Sequence, residues 1–248
     1  MYQPRTYRQQ QAPQGLVCFN VTQGESDLFI AVTPPLGNAI AVATGALKET
    51  RALLTDYIRE NPCFLTSLSP IPPVPGACAF VQSMCRAAVM CGVGPMAAVA
   101  GAVAQAVGEA IGCEEIIVEN GGDCYLRLTR ERIVGLYAGP SSPFTGRVGL
   151  RLGPGRWGLC TSAGTHGHSL SFGRADAAVV LVNATALPGE YYAGALSDAA
   201  ATALGNKITR ADDLQSALEQ VCGLPGVAGA LGVAENKIAC LGSIELAY

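Results

Sequence analysis

The feature that most limits what this chain can become is a stretch without a single charged residue, 87–107. Such a run is long enough for the core of a bilayer, which takes about 20 apolar residues. Its composition points elsewhere. It is built from Ala and Gly, whose transfer to hydrocarbon yields little compared with Leu or Ile, and Gly92-Val93-Gly94-Pro95 interrupts it. Glu109 follows soon after its end. The run therefore reads as parts of two helices, about 77–91 and 95–111, buried in a soluble protein. Pro95 falls in a first turn, where its missing N–H would have had no partner anyway. On the second helix Ala97, Gly101, Ala104 and Gly108 form a stripe with almost no side chain, beside a bulky one of Met96, Val99, Val103 and Val107. A stripe of that kind lets a backbone come close, so close packing against a helix or sheet is expected of it ahead of ligand contact.

The rest of the chain agrees with a large core. Half of the 248 residues are hydrophobic and 14% are charged, against about 25% charged in ordinary globular proteins. Disordered chains show the opposite balance. A net charge of −3 leaves no Lys/Arg surplus to neutralise phosphates along a nucleic acid, so that partner class is excluded. Ten cysteines include no C-x-x-C pair, and His166 and His168 have no cysteine near them, which removes the usual zinc spacings. Cys78, Cys85 and Cys91 line one side of a helix as small buried hydrophobes, with a redox or iron–sulfur role as the alternative. Residues 1–15 are expected to form a flexible polar segment, and 16–248 a single domain. The first residues have no apolar signal core. A cytoplasmic protein with no membrane partner is the expectation.

Strand-like runs occupy 16–32, with a turn at Gln23-Gly24-Glu25-Ser26, then 115–119, 124–128, 147–152, 157–161 and 177–183. A helical pattern covers about 38–60, with Leu47, Leu54 and Ile58 on one face, and Asn61-Pro62 stops it. Pro70, Pro72, Pro73 and Pro75 make 67–76 an extended connector, the one plausible internal boundary. A helix from about 193 to 204 is expected to end at Gly205-Asn206. Thr209 with Asp212 reads as the N-terminal cap of a last helix reaching about Cys222. Short strands follow, turning at Glu235-Asn236 and Gly242. Grouped antiparallel-looking strands with helices between the groups indicate an α+β fold.

Three polar islands stand out against this apolar background. Glu119-Asn120-Gly121-Gly122-Asp123 reads as a hairpin turn, or as a loop whose glycines bring backbone against a ligand. The loop 160–173 gathers Thr161, Ser162, Gly164, His166, His168 and Ser169 with no charge before Arg174. Hydroxyls and glycine amides of that kind suit a phosphate or a polar ring edge. Asp198 and Thr202 lie four apart on one helix face and offer hard oxygen ligands, suited to magnesium or calcium.

Taken in order, Gly92-Val93-Gly94-Pro95-Met96-Ala97-Ala98-Val99-Ala100-Gly101, the Asn120-Gly121-Gly122-Asp123 turn, Thr161-Ser162-Ala163-Gly164, the 167–176 run and Asp198-Ala199-Ala200-Ala201-Thr202 resemble the ApbE-like superfamily. Its best-known members are magnesium-dependent FAD:protein FMN transferases; the pattern is closest to an uncharacterised cytoplasmic branch, and covers about 16–246. The resemblance implies an ApbE-like, T-fold-related α+β domain with antiparallel sheets packed by helices. It implies FAD or another flavin nucleotide as ligand, and magnesium on Asp198 and Thr202. Asn120, Gly121, Gly122, Asp123, Thr161, Ser162, Gly164, His168 and Ser169 are then cofactor-binding residues, and Asp198 and His168 catalytic ones. One element departs. Where the transferases carry H-I-I-D-P-x-T-G, this chain has His168-Ser169-Leu170-Ser171-Phe172-Gly173. Binding therefore carries over better than transfer or cleavage at an FAD-type pyrophosphate. The alternatives are a non-catalytic flavin or cofactor binder, and a structural subunit whose Ala/Gly helices form a homo-oligomer interface.

Overall fold

The computed structural model describes residues 13–165, 171–187 and 192–248. The chain opens with a hairpin, β1 (Val17–Gln23) and β2 (Ser26–Val32), turning at Gly24-Glu25. Helices α1 (Ala39–Glu60), α2 (Cys63–Thr66), α3 (Ala79–Cys91) and α4 (Val99–Ile111) follow. A 3₁₀ turn over Pro95–Ala98 leads into α4. Then come β3 (Ile116–Asn120), β4 (Asp123–Leu128), β5 (Arg132–Gly135), β6 (Gly149–Leu152), β7 (Gly155–Ser162) and β8 (Ala177–Asn183). Helices α5 (Ala193–Lys207) and α6 (Leu214–Cys222) precede β9 (Val227–Ala234), β10 (Lys237–Gly242) and β11 (Glu245–Ala247).

Eight strands make one antiparallel sheet in the order β1-β2-β3-β4-β7-β8-β9-β10, and β11-β6-β5 make a second, smaller one. Helices cover one face of the large sheet and the small sheet covers the other. The α+β expectation holds. The two-sided cover explains β8, which is apolar throughout: Ala178, Val180 and Val182 meet the helices, while Ala177, Val179 and Leu181 meet the small sheet. Strands buried on both faces lose the apolar–polar alternation. Residues on either side of the 67–76 connector, such as Leu47 and Phe64 before it and Phe80 and Met84 after it, pack into the same core.

The charge-free run divides as its glycines suggest. Gly92 ends α3 in the left-handed conformation (φ 69°), and the chain bends by 106° between α3 and the segment starting at Pro95. Among the described residues no single helix is long and apolar enough to cross a membrane, and α4 is largely buried. Its small stripe serves close packing: a Cβ on Gly108 would lie 2.6 Å from the Tyr125 ring. All ten cysteines are free thiols.

Two helix boundaries differ from the sequence expectation. Helix α5 does not stop at Gly205-Asn206 but continues to Lys207. Gly205 is there for packing: a Cβ on it would lie 3.0 Å from Ser162 Oγ, and its carbonyl oxygen would lie 1.9 Å from a Cβ on Gly173. The cap before α6 is Asp213, not Asp212. Its Oδ2 accepts the N–H groups of Thr209 (2.9 Å) and Arg210 (3.0 Å) and the Thr209 hydroxyl (2.6 Å). A 3₁₀ turn over Ala211–Asp213 shifts the helix start by the one residue that separates the two aspartates.

Candidate functional site

Helices α4 and α5 cross at two glycines. A Cβ on Gly101 would lie 2.1 Å from the carbonyl oxygen of Gly194, and a Cβ on Gly194 would lie 2.1 Å from that of Gly101. No side chain fits at either place, so the backbones touch. Two buried hydrogen bonds flank the contact. The Gly101 N–H donates to Asp198 Oδ2 at 2.9 Å. The Gly194 N–H donates to Gln105 Oε1 at 2.8 Å. Each helix thus supplies an acceptor, four residues beyond its own glycine, for a first-turn amide of the other. Such amides have no partner inside their helix.

Asp198 is buried, and it also accepts from the Ala100 amide. It sits at the positive end of α4, which favours a carboxylate. Burial wins nonetheless and pushes its carboxyl up to about 7, against the two amides that favour ionisation. Asp123, the first residue of β4, is buried beside it. Burial, then the neighbouring Asp198 charge, raise the Asp123 carboxyl well above the usual range; the Thr161 amide and the Cys160 thiol oppose this, and Glu119 adds to it. Asp123 Oδ1 accepts the Thr161 N–H at 3.2 Å. The Cys160 sulfur lies 3.0 Å from Ser197 Oγ, and burial, Asp123 and Asp198 all raise its thiol. Cys91, closing α3, is pushed up to about 12 by burial and then by the Asp198 charge. Among the described residues neither Asp123 nor Asp198 has an ion pair with Lys or Arg.

The sequence-predicted residues divide around this pair. Asn120 and Asp123 pair across a two-residue turn, Gly121 (φ 73°) and Gly122 (φ 103°), a conformation that glycine adopts at no steric cost. The turn is therefore a hairpin, and its polar side chains face inward: Asn120 Nδ2 donates to the Ala100 carbonyl at 3.2 Å. The Gly122 N–H, expected to face a ligand, donates instead to Glu119 Oε1 at 2.7 Å. Thr161 reaches Asp123 through its backbone amide. Strand alternation puts its side chain on the face of Leu159 and Val179, away from the helices. Ser162 is buried against Gly205, seven residues along α5 from Asp198, or about 10 Å at the helical rise. Gly164 makes a backbone neck: its N–H donates to the Ala175 carbonyl at 2.8 Å, and a Cβ on it would lie 2.3 Å from the Gly173 oxygen. Thr202 is half-buried one turn beyond Asp198 on the same helix. His168 and Ser169 lie outside the described residues.

Beyond the expected site residues the cluster takes in Gln105 and Cys91, and also Glu119 and Cys160, which open two of the polar islands. A signal for Gln105 was present. Residues 100–112 and 193–205 both read Ala-Gly-Ala-x-x-x-Ala-x-x-x-Ala-x-Gly, which aligns Gly101 with Gly194 and Gln105 with Asp198.

As for donors, no group of three or more His, Cys, Asp or Glu side chains among the described residues is arranged to hold a metal ion. Asp198 and Thr202, with Asp123 nearby, offer an incomplete set of hard oxygens. That set fits magnesium, which keeps several waters and is usually bound through one or two carboxylates plus phosphate oxygens of a ligand.

The family model described as "AbpE bacteria" matches residues 8–220. A UPF0280 protein of Methanocaldococcus jannaschii is 39% identical over 203 residues, 79% of each chain. One from Methanothermobacter thermautotrophicus is 42% identical over 186 residues, 71% of this chain and 68% of the relative. Among solved structures, the apo flavinyl transferase ApbE of Pseudomonas stutzeri superposes with a TM-score of 0.55 at 11% identity, covering 91% of this chain and 93% of the other. A mutant flavin transferase ApbE from Vibrio cholerae gives 0.53 at 11% identity, covering 92% and 97%. At that identity the likeness is one of fold.

Proposed function

The chain belongs to the AbpE bacteria family within the ApbE-like superfamily, and on that premise we propose that it binds FAD or a related flavin nucleotide through magnesium held by Asp198 and Thr202. The observation that carries this reading is the pair of buried carboxylates, Asp123 and Asp198, with no described cationic side chain paired to either. Two ionised carboxylates in one buried place repel each other. A divalent cation held there by Asp198 and Thr202 would remove that repulsion and supply positive charge for the phosphates of a dinucleotide. When bound, magnesium would neutralise charge on the pyrophosphate. Asp198 would hold the ion from the second turn of α5, and the α4 amides of Ala100 and Gly101 fix that carboxylate's direction. Asn120 ties the β3–β4 turn to α4, which keeps Asp123 in place from the other side. His168 is proposed as the acid or base for cleavage at the pyrophosphate, and Ser169 as polar lining, while Thr161 acts through its backbone amide on Asp123. The free thiols fit a reducing compartment, and we place the protein in the cytoplasm.

The test is a titration of the purified chain with FAD, FMN and ADP, each with and without magnesium, followed by calorimetry. FAD and ADP are expected to bind in magnesium and to lose that dependence in Asp198→Asn. Equal affinity with and without magnesium, or an unchanged Asp198→Asn, refutes the metal-held pyrophosphate. Chromatography of the recovered nucleotide then separates enzyme from binder. Hydrolysis of the P–O–P bond by water gives FMN and AMP, whereas a binding protein returns FAD intact.

A further inference from the structure

We infer that Gln105 is the positioning residue for Asp198, acting through a reciprocal clamp between α4 and α5; the inference rests on the magnesium reading for its functional meaning and on the helix crossing for its geometry. At the crossing the backbones touch where Gly101 meets Gly194, and two pins flank that contact. One pin is the Gly101 N–H on Asp198 Oδ2 (2.9 Å), the other the Gly194 N–H on Gln105 Oε1 (2.8 Å). Contact between small residues gives little resistance to turning or sliding. The two pins tie an amide of each helix to a side chain of the other and so oppose both motions.

Gln105 is held in its turn. It is buried, and its Nε2 donates to Glu109 Oε1 at 2.7 Å, which fixes the amide orientation so that Oε1 faces Gly194. Glu109, at the exposed end of this relay, therefore reaches Asp198 through Gln105, the α5 first turn and one turn of helix. The sequence repeat 100–112 and 193–205 gives both helices the same small-residue frame, but the acceptors differ. The neutral amide stands on α4 and the carboxylate on α5. Only one of the two acceptors has the charge to hold a cation. The other keeps it in place. Groups that hydrogen-bond a metal ligand directly are typically worth about 10- to 100-fold in metal affinity, and Gln105, one step further out, is expected at the lower end of that range.

The experiment uses the full chain and Mn²⁺ as the probe, alone and with ADP, titrated by electron paramagnetic resonance, with amide hydrogen exchange read by NMR on the same variants. Gln105→Met, which keeps the shape and loses the acceptor, should weaken Mn²⁺ binding by about tenfold. It should also speed exchange of the Gly101 amide while leaving the Leu181 amide in β8 unchanged. Gln105→Glu alone sets a carboxylate against Glu109 Oε1, but paired with Glu109→Gln it keeps an acceptor for Gly194 and exchanges donor for acceptor, so the double variant should restore most of both. Glu109→Ala, at an exposed position that tolerates change, should produce a weaker version of the Gln105→Met effect even if that variant fails to fold. If Asp198→Asn abolishes Mn²⁺ binding while the Gln105 and Glu109 variants alter neither affinity nor Gly101 exchange, the clamp is wrong and the magnesium reading survives. If the wild-type chain binds Mn²⁺ neither alone nor with ADP, the magnesium reading fails, and Gly101 exchange decides the clamp alone. Acceleration confined to Gly101 upholds it. Acceleration shared with Leu181, or none, overturns it.

Discussion

Replacing Asp198 by Asn should make the protein more stable at pH 8 and no more stable at pH 4. The side chain keeps its shape, and its amide oxygen still accepts the Gly101 N–H that Asp198 Oδ2 accepts at 2.9 Å. The charge goes, and one carboxylate oxygen becomes an NH2 donor. In the folded chain burial pushes the Asp198 carboxyl up to about 7, whereas an unfolded aspartate titrates near 3.9. Between those values the folded state binds more protons than the unfolded one, so stability contributed through this group falls as pH rises and levels off above about 7. A displacement of that size sets a ceiling of about 4 kcal/mol on the cost of ionising Asp198. The nearby Asp123 shares the proton balance, so a gain of about 1–3 kcal/mol for Asp198→Asn is expected.

The assay is urea unfolding in a chelating buffer at pH 4 and pH 8, repeated at pH 8 with excess magnesium. Without metal the variant's midpoint should exceed the wild type's at pH 8 and match it at pH 4. With magnesium the order should narrow or reverse, because only the wild type gains from ligand binding to the folded state. A variant less stable than wild type at pH 8 in chelator would refute the reasoning. It would mean that Asp198 is there for its hydrogen bonds and that its charge costs nothing.

Gly101→Ala and Gly194→Ala should each lose about 3 kcal/mol or more in thermal unfolding, because the new Cβ would lie 2.1 Å from a carbonyl oxygen that has no room to retreat. Asp213→Ala should cost about 1–2 kcal/mol through the lost cap, while Asp212→Ala, on an exposed side chain, should stay within about 0.5 kcal/mol. Brief alkylation at pH 7.5 should label Cys63 and Cys240, which are exposed, and leave Cys160 and Cys85 unmodified by mass spectrometry, since both are buried and burial raises both thiols.

Much of the fold was legible because periodicity and punctuation agree along most of the chain. The hairpin at Gly24, the stop at Asn61-Pro62 and the turn at Glu235-Asn236, where both residues have positive φ, all lie where the sequence places them. The misplaced end of α5 has a physical cause. Glycine after a helical run signals either a left-handed cap or a close contact, and only the neighbouring chain, here Ser162 and Gly173, decides between them. The candidate site was legible in its residue types and less so in their roles. Asp123 and Asp198 do come together. The hydroxyl of Thr161 and the amide of Gly122 were expected at the same place, but strand alternation turns the first away and Glu119 takes the second.

What could not be read from polar residues alone is why an apolar helix pair should bury a charge at all. The small side chains supply the reason. Backbone contact at Gly101 and Gly194 brings the start of α4 within hydrogen-bond reach of α5, and that closeness is what lets the Ala100 and Gly101 amides hold a carboxylate with no basic side chain among the described residues paired to it. An arginine in their place would have neutralised Asp198. The chain instead opposes the negative charge only partly, with dipoles, so burial still holds the carboxyl up to about 7. The Ala/Gly stripe and the acidic pair are therefore one device. The stripe makes the contact, the contact aims the amides, and the amides leave Asp198 oriented but unneutralised.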